Sequence, residues 1–248
     1  KIFKGGTSNE APPFRLLNFT FSLVISMDKT KIYLASAKDL EDKALFQKLY
    51  HTVSDIRQTK IDSLLLEKDK RLSLAAELLL KKALSDCGID SFELEYGENG
   101  KPYIKDHNDI FFNLSHSNEM VMCAVSSDEV GCDTEKIKDI DLKIAKRFFS
   151  ESEYNLIIGN EKKNDMFFRI WTLKESFMKA TGLGMKLPMN SFTISIENSS
   201  VSVSHNLNNK SYFFKEFDLK NGYKYAVCTL ASEIENPQIV SFNELNIP

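Results

Sequence analysis

Two acidic residues on one predicted strand are the first candidates for chemistry. Asp133 and Glu135 stand two residues apart in the segment 130–135. Residues two apart on a strand face the same side of it, so both carboxylates would project together. Neighbouring carboxylates repel each other unless a positive charge lies between them, and Mg²⁺ prefers such oxygen ligands. The pair therefore suggests a magnesium site, with a strand end that carries two solvated charges as the alternative.

A predicted helix over residues 165–180 supplies a third acid and a lysine. Helical spacing places Trp171, Glu175 and Lys179 one turn apart along one side. The apolar stripe beside them contains Lys174 as its one polar member. Glu175 and Lys179 would thus lie at the edge of a buried face, where the wall of a cleft is expected. The alternative is an ordinary ion pair between residues four apart on a helix surface.

Ser115 and His116 are adjacent on another predicted strand, which argues against a hydrolase. Neighbouring strand residues point to opposite faces, so the two side chains cannot readily form a nucleophile and its base. No GxSxG turn surrounds the serine. They fit better as donors to phosphate or nucleotide oxygens, or simply as the polar end of a strand. Basic residues could extend such a site or form solvated helix faces: Arg57, Lys60, Lys68, Lys70, Arg71 and Lys101.

The composition favours a protein that acts in the cytoplasm and binds no nucleic acid. The 248 residues carry a formal net charge of -3, so only a local basic cluster could attract an anion. The four cysteines show no CxxC spacing, which favours reduced core thiols. The apolar run 14–27 is shorter than the roughly 20 residues that span a bilayer, so no membrane anchor is expected. Residues 1–26 are expected to be an added extension outside the core fold.

The periodicity of apolar residues predicts a mixture of helices and strands. Its strongest feature is a helix over residues 69–87, with Gly88 as its stop. Ser150 and Glu153 form a capping box for a helix over 151–158. Further helical segments are expected at 39–52 and 54–66. Strands are expected at 31–35, 92–96, 110–115, 120–126, 130–135, 192–197, 201–204, 212–219 and 223–231, with a hairpin turn at Asn99-Gly100. The strand 120–126 is apolar on both faces, which indicates burial.

The order of these elements predicts an α+β fold built from two halves of about 100 residues each. We place the N-terminal half at residues 27–128 and the C-terminal half at residues 129–248, joined near residues 126–140. No internal repeat is strong enough to prove a duplication.

Taken in order, several motifs resemble the Sfp-type 4'-phosphopantetheinyl transferases. The resemblance covers most of residues 31–245 and is densest between residues 100 and 193. As a set the motifs are specific, although each alone is weak. They are Gly100-Lys101-Pro102, Phe112-Asn113-Leu114-Ser115-His116-Ser117, Val130-Gly131-Cys132-Asp133-Thr134-Glu135, Ala145-Lys146-Arg147-Phe148-Phe149-Ser150, Glu153-Tyr154 and Trp171-Thr172-Leu173-Lys174-Glu175-Ser176-Phe177-Met178-Lys179. Thr134 departs from the pattern, since the family usually has an aliphatic residue between the two acids.

The resemblance implies a fold and a set of site residues. Members are monomers whose two similar halves, in a pseudo-twofold arrangement, bind coenzyme A in the cleft between them. By similarity, Mg²⁺ would be held by Asp133, Glu135 and Glu175. The nucleotide and its phosphates would be held by Arg57, Lys60, Arg71, Lys101, Ser115 and His116. Lys179 would contact the pyrophosphate and stabilise the leaving group, and Glu175 would act as general base. Glu153, which matches a further acid near the site, would be the third catalytic residue.

The reaction implied by the resemblance is attack of a carrier-protein serine on the β-phosphorus of coenzyme A, which expels 3',5'-ADP. The partner would be an apo acyl or peptidyl carrier protein, docked near Arg147, Lys162 and Lys163. Two other functions would also gather acids and lysines: a magnesium-dependent phosphodiesterase or nuclease, and a nucleotide-binding module without catalysis. A nuclease usually presents a basic surface, which the net charge does not favour.

Overall fold

The structure, a computed structural model, describes residues 29–198 and 200–245. The predicted extension 1–26 and the apolar run 14–27 lie outside these residues. Within the described ranges, no helix has the length and apolar character needed to cross a membrane.

The N-terminal part of the chain forms three antiparallel strands of one sheet, a separate two-stranded hairpin and several helices. It contains β1 (Lys31–Ser36), a 3₁₀ helix (Ala37–Glu41), α1 (Lys43–Tyr50), α2 (Asp55–Asp62), α3 (Glu67–Ser85), β2 (Leu94–Tyr96), β3 (Pro102–Ile104), β4 (Phe111–Ser117) and β5 (Met120–Ser126). The small hairpin β2–β3 turns at Asn99-Gly100 as predicted, with Gly100 at a positive φ of 76°.

The C-terminal part contains β6 (Val130–Lys136), α4 (Lys143–Phe148), α5 (Glu151–Ile158), α6 (Lys163–Ala180), β7 (Thr193–Glu197), β8 (Ser200–Ser204), β9 (Phe213–Phe217), β10 (Tyr223–Thr229) and β11 (Gln238–Val240), with short 3₁₀ helices at Gly184–Lys186 and Met189–Ser191. The capping box of Ser150 and Glu153 is present at the start of α5.

Two sheets pack face to face between two long helices. The strand order is β11-β1-β5-β4 in the first sheet and β6-β10-β9 in the second. Alternate residues of β5 enter different cores: Val121, Cys123 and Val125 face the side of α3, whereas Met122 and Ala124 face the second sheet. On the far side of the second sheet, Ala226 and Cys228 pack with α6. The layers therefore run α3, first sheet, second sheet, α6.

The observed elements confirm the α+β fold class and most of the predicted segments. The helix predicted over 69–87 is α3, which begins two residues earlier, and β5 spans 120–126 as predicted. Free thiols at Cys123, Cys132 and Cys228 are buried in the cores, in line with the reduced state inferred from their spacing.

Three elements were not in the predicted set: β3, which completes the hairpin predicted at Asn99-Gly100, α4 and β11. Helix α4, of six residues, falls in a stretch for which we predicted no regular structure. Strand β11 pairs in parallel with β1 in the first sheet, and Phe242 joins the core under α3. Residues 238–242 therefore pack in the first sheet and its core, together with the N-terminal half. The predicted boundary at 128/129 assigns them to the C-terminal half. Three residues of strand are too short to give a periodic signal.

Candidate active site

A close approach of β6 to α6 creates the candidate site. Gly131 lies directly against the helix, where a β-carbon would meet the main-chain oxygen of Ser176 at 2.1 Å and the main-chain nitrogen of Ala180 at 2.3 Å. Only glycine allows this contact, because no other residue leaves the space. The contact brings the side chains of the strand and the last turn of α6 together on one face.

Asp133 and Lys179 form the centre of this contact. Lys179 Nζ donates to Asp133 Oδ1 at 2.7 Å, to Ser115 Oγ at 3.1 Å and to the main-chain oxygen of Cys132 at 3.2 Å. Asp133 is 4% exposed. Burial works against the charge of Lys179, but Asp133 and further negative charge nearby outweigh it and raise the pKa of the lysine above its ordinary value. The site therefore keeps a positive charge beside a buried carboxylate.

Glu175 and Glu135 complete the acidic cluster at its half-buried edge. Burial raises the pKa of Glu175, and the negative charges of Asp133 and Glu135 raise it further, against the opposing effect of Lys179. Burial likewise raises the pKa of Glu135, while a hydrogen bond from Ser117 lowers it and Asp133 raises it again. The mutual effects show that all three carboxylates lie within electrostatic range of one another.

The donor set suits a hard divalent cation, although the carboxylates are not drawn together around one point. Across residues 29–198 and 200–245, no three histidine, cysteine, aspartate or glutamate side chains converge closely enough to hold a metal as they stand. Lys179 occupies one oxygen of Asp133, but the second, Oδ2, is buried without a hydrogen-bond partner. A buried carboxylate oxygen without a partner is costly. An oxygen-seeking cation would satisfy it together with Glu135 and Glu175.

A cavity of about 440 Å³ lies beside β4 and is lined by three of the predicted nucleotide-binding residues. Arg57, Lys60 and His116 share its wall with apolar side chains such as Leu72 and Phe112. Partial burial lowers the pKa of His116, and the charges of Lys179 and Lys60 lower it further, against the opposing effects of Asp69 and Asp133. Apolar walls with a few basic groups fit a flat base that carries phosphate.

Arg57 is held in this wall by a residue that the sequence did not single out. Arg57 Nη2 forms an ion pair with Glu77 Oε2 at 2.7 Å, although the two groups are not aligned as a hydrogen bond. Both side chains are largely buried, at 14% and 8% exposed. The carboxylate fixes the guanidinium on the cavity wall. Glu77 was missed because a lone acid inside the apolar stripe of α3 has no pattern of its own.

Lys101 and Arg71 are placed differently from the sequence prediction. The Lys101 ammonium donates to main-chain oxygens of Lys179 at 2.7 Å and Val130 at 3.0 Å, and burial lowers its pKa to about 8. It therefore fastens the β2–β3 hairpin to the last turn of α6 and does not line the Arg57 cavity. Arg71 lies in a separate cavity, 3.6 Å from the carboxylate of Glu41. Neither side chain joins the other predicted phosphate ligands.

Ser115 also has other partners than the predicted phosphate oxygens. Its hydroxyl donates to Asp133 Oδ1 at 2.7 Å and accepts from the amide of Thr134 and from Lys179. A hydroxyl has one proton and two lone pairs, so its hydrogen-bonding capacity is used within the protein. Ser115 orients the carboxylate, whereas its neighbour His116 faces the cavity.

Glu153 does not lie at the acidic cluster. It is 1% exposed, and Oε1 accepts from Lys174 Nζ at 2.6 Å and from the amide of Ile194 at 2.7 Å. Oε2 accepts from the amide of Ser150 in the capping box. A carboxylate with both oxygens engaged in the interior cannot reach a substrate, so its role here is structural. This pairing also explains the charged Lys174 within the buried stripe of α6.

The site as a whole can bind an anion and place a carboxylate base beside it. It offers the cationic Lys179 and three acids at β6 and α6, and a basic cavity beside β4, whose Ser115 bonds Asp133. Besides Glu77, the sequence did not single out Gly131 and Ser117 as contributors to the site. A signal existed for Ser117, since polar residues at 113, 115 and 117 share one face of β4.

Comparisons with known proteins agree with this geometry. The model of the 4'-phosphopantetheinyl transferase superfamily matches residues 129–228, and that of the 4'-phosphopantetheinyl transferase N-terminal family matches residues 41–128. The 4'-phosphopantetheinyl transferase Sfp of Bacillus subtilis is 36% identical over 186 residues, which cover 72% of this chain and 83% of that protein. The 4'-phosphopantetheinyl transferase gsp of Aneurinibacillus migulanus is 38% identical over 204 residues, which cover 80% of this chain and 85% of that protein.

The matched residues include β4, β6 and α6, the elements that form the site. Identity above 30% over most of both chains reflects common descent, and it agrees with the Sfp-type motifs of the sequence. The chain belongs to the 4'-phosphopantetheinyl transferase superfamily, and it is a coenzyme A-dependent transferase of the Sfp type that modifies carrier proteins.

Proposed function

We propose that this enzyme moves the phosphopantetheine group to a serine of an apo acyl or peptidyl carrier protein at the contact between β6 and α6, and releases 3',5'-ADP. The observation that carries the proposal is the convergence of Asp133, Glu175 and Lys179 beside a cavity with basic walls. Phosphoryl transfer depends on positioning and on neutralising negative charge, and this arrangement supplies both.

The nucleotide end of coenzyme A is assigned to the cavity that contains Arg57, Lys60 and His116. The apolar surface of Leu72 and Phe112 would contact the adenine, and the three basic groups would face the 3'-phosphate. The charge of Lys179 lowers the pKa of His116 in the cavity wall, so the lysine is within electrostatic range of that wall. Coenzyme A bound there would extend its pyrophosphate towards the acidic cluster.

The acidic cluster is assigned to Mg²⁺, with Asp133, Glu135 and Glu175 as the side chains that would hold it. The unpartnered Oδ2 of Asp133 and the half-exposed positions of both glutamates support this assignment. A bound Mg²⁺ would neutralise charge on the pyrophosphate oxygens. Lys179 adds a fixed positive charge in a partly desolvated place, where it stabilises the departing phosphate more than it would in water.

Glu175 is assigned as the base that takes the proton of the carrier serine. Burial and the neighbouring carboxylates raise the pKa of Glu175, which makes it a stronger base than an ordinary carboxylate. Its half-buried position on α6 leaves one side open to an incoming hydroxyl. The carrier itself is expected to be acidic, and Arg147, Lys162 and Lys163 are exposed near the turn between α5 and α6, where it could dock.

We further infer that the enzyme works in the cytoplasm as a monomer and binds neither membranes nor nucleic acid. The net charge of -3 offers no broad basic surface, and the buried free thiols of Cys123, Cys132 and Cys228 fit a reducing compartment.

The test is intact-mass analysis of apo carrier proteins after incubation with coenzyme A and Mg²⁺. The wild-type enzyme should add one phosphopantetheine to the carrier serine. Asp133→Ala should slow this transfer by more than about 100-fold, because it removes a central carboxylate of the site. Asp128→Ala is the matched control, since Asp128 is an exposed acid on the preceding loop. Carriers that stay unmodified by the wild-type enzyme would refute the function, and near-normal transfer by Asp133→Ala would refute the site.

A further inference from the structure

Two edge strands meet at the candidate site and are joined by side chains. Strand β4 is the edge of the first sheet, and β6 is the edge of the second. Three residues of β4, each two positions from the next, bond alternate main-chain amides of β6. We call these three hydrogen bonds the side-chain ladder and each bond a rung. The Cys132 amide donates to Asn113 Oδ1 at 2.8 Å, the Thr134 amide donates to Ser115 Oγ at 3.3 Å, and the Lys136 amide donates to Ser117 Oγ at 3.1 Å.

The two serine rungs also fix the direction of their own protons. A main-chain amide can only donate, so each serine oxygen accepts on that side and has its single proton left for another partner. Ser115 gives this proton to Asp133 Oδ1 at 2.7 Å, and Ser117 gives it to Glu135 Oε2 at 2.6 Å. The Asn113 rung has the same amide bond but involves no carboxylate. The same serines that join β4 to β6 therefore also orient the carboxylates of Asp133 and Glu135.

The two acids depend on the ladder to different degrees. Asp133 is buried and is also held by Lys179 at 2.7 Å. Glu135 is half-exposed, its side chain is longer, and Ser117 is the partner whose bond to its carboxylate the structure records. A glutamate without such a bond would sample several rotamers. Loss of the Ser117 hydroxyl should therefore affect Glu135 first.

We propose that Ser117 is a positioning residue that holds the Glu135 carboxylate in register with Asp133 for the divalent cation. The proposal rests on the proposed function, in which these acids hold Mg²⁺. Ser117 acts through Glu135 and touches no reacting atom. Partners of this kind, which orient a metal-binding side chain, typically change metal affinity by 10–100-fold when they are removed.

The test measures metal binding directly, without turnover. Mn²⁺, a paramagnetic substitute for Mg²⁺, is titrated into the full-length enzyme with saturating coenzyme A and no carrier, and free Mn²⁺ is read by electron paramagnetic resonance. Ser117→Ala should weaken Mn²⁺ binding by about 10-fold or more. Ser117→Thr keeps the hydroxyl and should restore the wild-type affinity. Asn113→Ala removes a rung without touching a carboxylate, so it should lower thermal stability and leave Mn²⁺ affinity unchanged.

Three results would overturn the proposal. The first is that the Ser117→Ala variant binds Mn²⁺ as tightly as the wild type. The second is that Asn113→Ala weakens Mn²⁺ binding as much as Ser117→Ala does, because the loss would then come from joining the two strands and not from orienting Glu135. The third is that Asp133→Ala binds Mn²⁺ as the wild type does. An Asp133→Ala arm separates this proposal from the proposed function. If Asp133→Ala loses Mn²⁺ binding but Ser117→Ala does not, only the role of Ser117 is wrong. If Asp133→Ala also binds normally, the metal site is wrong and the role of Ser117 is wrong with it.

Discussion

Replacement of Gly131 by alanine should separate β6 from α6 and misalign the site. The new β-carbon would lie 2.1 Å from the main-chain oxygen of Ser176, 2.3 Å from the nitrogen of Ala180 and 2.8 Å from the carbonyl carbon of Lys179. All three atoms belong to the backbone of one helix, so no side-chain rotation can relieve the contact. The helix and the strand must move apart as units.

The size of the effect follows from these distances. Ordinary contact begins at 3.4 Å, so the closest approach is about 1.3 Å too short. Forcing extra volume into a packed core costs about 1–3 kcal/mol, and we expect the upper end because only backbone can yield. In a chain of this length that corresponds to a loss of about 6–12 °C in Tm. A displacement of about 1 Å between Lys179 and Asp133 should also lower kcat by about 100-fold.

Thermal unfolding of the Gly131→Ala variant would test the expected loss of Tm. The rate of carrier modification, measured at a temperature below the Tm of the variant, would test the expected loss of kcat. Gly97→Ala is the matched control, since its β-carbon would meet its nearest neighbour, the main-chain oxygen of Lys101, at an ordinary 3.7 Å. The control should keep nearly wild-type Tm and kcat. If the Gly131→Ala variant has the Tm and the kcat of the wild type, then the close packing of β6 on α6 does not position the side chains of the site.

Two further predictions concern single side chains. Thr134 is fully buried and its hydroxyl has no partner, so Thr134→Val should stabilise the protein by about 1–2 kcal/mol; a lower Tm for the variant would contradict this. Burial and the charge of Lys179 keep the pKa of His116 below its ordinary value, so the free imidazole is neutral near pH 7. A phosphate beside it would raise that pKa, so binding of 3',5'-ADP should take up protons. Affinity should then rise as the pH falls through the bound-state pKa and level off below the free-state pKa. Calorimetry in buffers of different ionisation heat measures this uptake, and an unchanged uptake in His116→Gln would exclude the histidine as its source.

Local sequence determined most of the secondary structure. The repeat of leucines and alanines along α3 and the alternation along β8 report which face of each segment is buried. The capping box marks the start of α5. Burial on both faces of β5 was also readable, because a strand between two layers has no polar side. The line of Trp171, Glu175 and Lys179 at the half-exposed edge of α6 followed from helical spacing alone.

The partners of the polar groups were decided only by the tertiary structure. Glu153 and Lys174 are 21 residues apart in sequence, and their pairing removed a predicted catalytic acid from the site. Lys101 reaches the end of α6 across 78 residues, and Ser115 bonds Asp133 rather than a phosphate.

The physical reason is that periodicity records whether a side chain is buried but not which group satisfies it. A buried hydroxyl, ammonium or carboxylate must find a partner, and the partner comes from whichever element the fold brings within about 3 Å. The acids and Lys179 could be identified as candidates in the sequence, whereas Gly131 was not singled out. Their assignment to cation binding, to positioning or to the core required the packing of β4, β6 and α6 against one another.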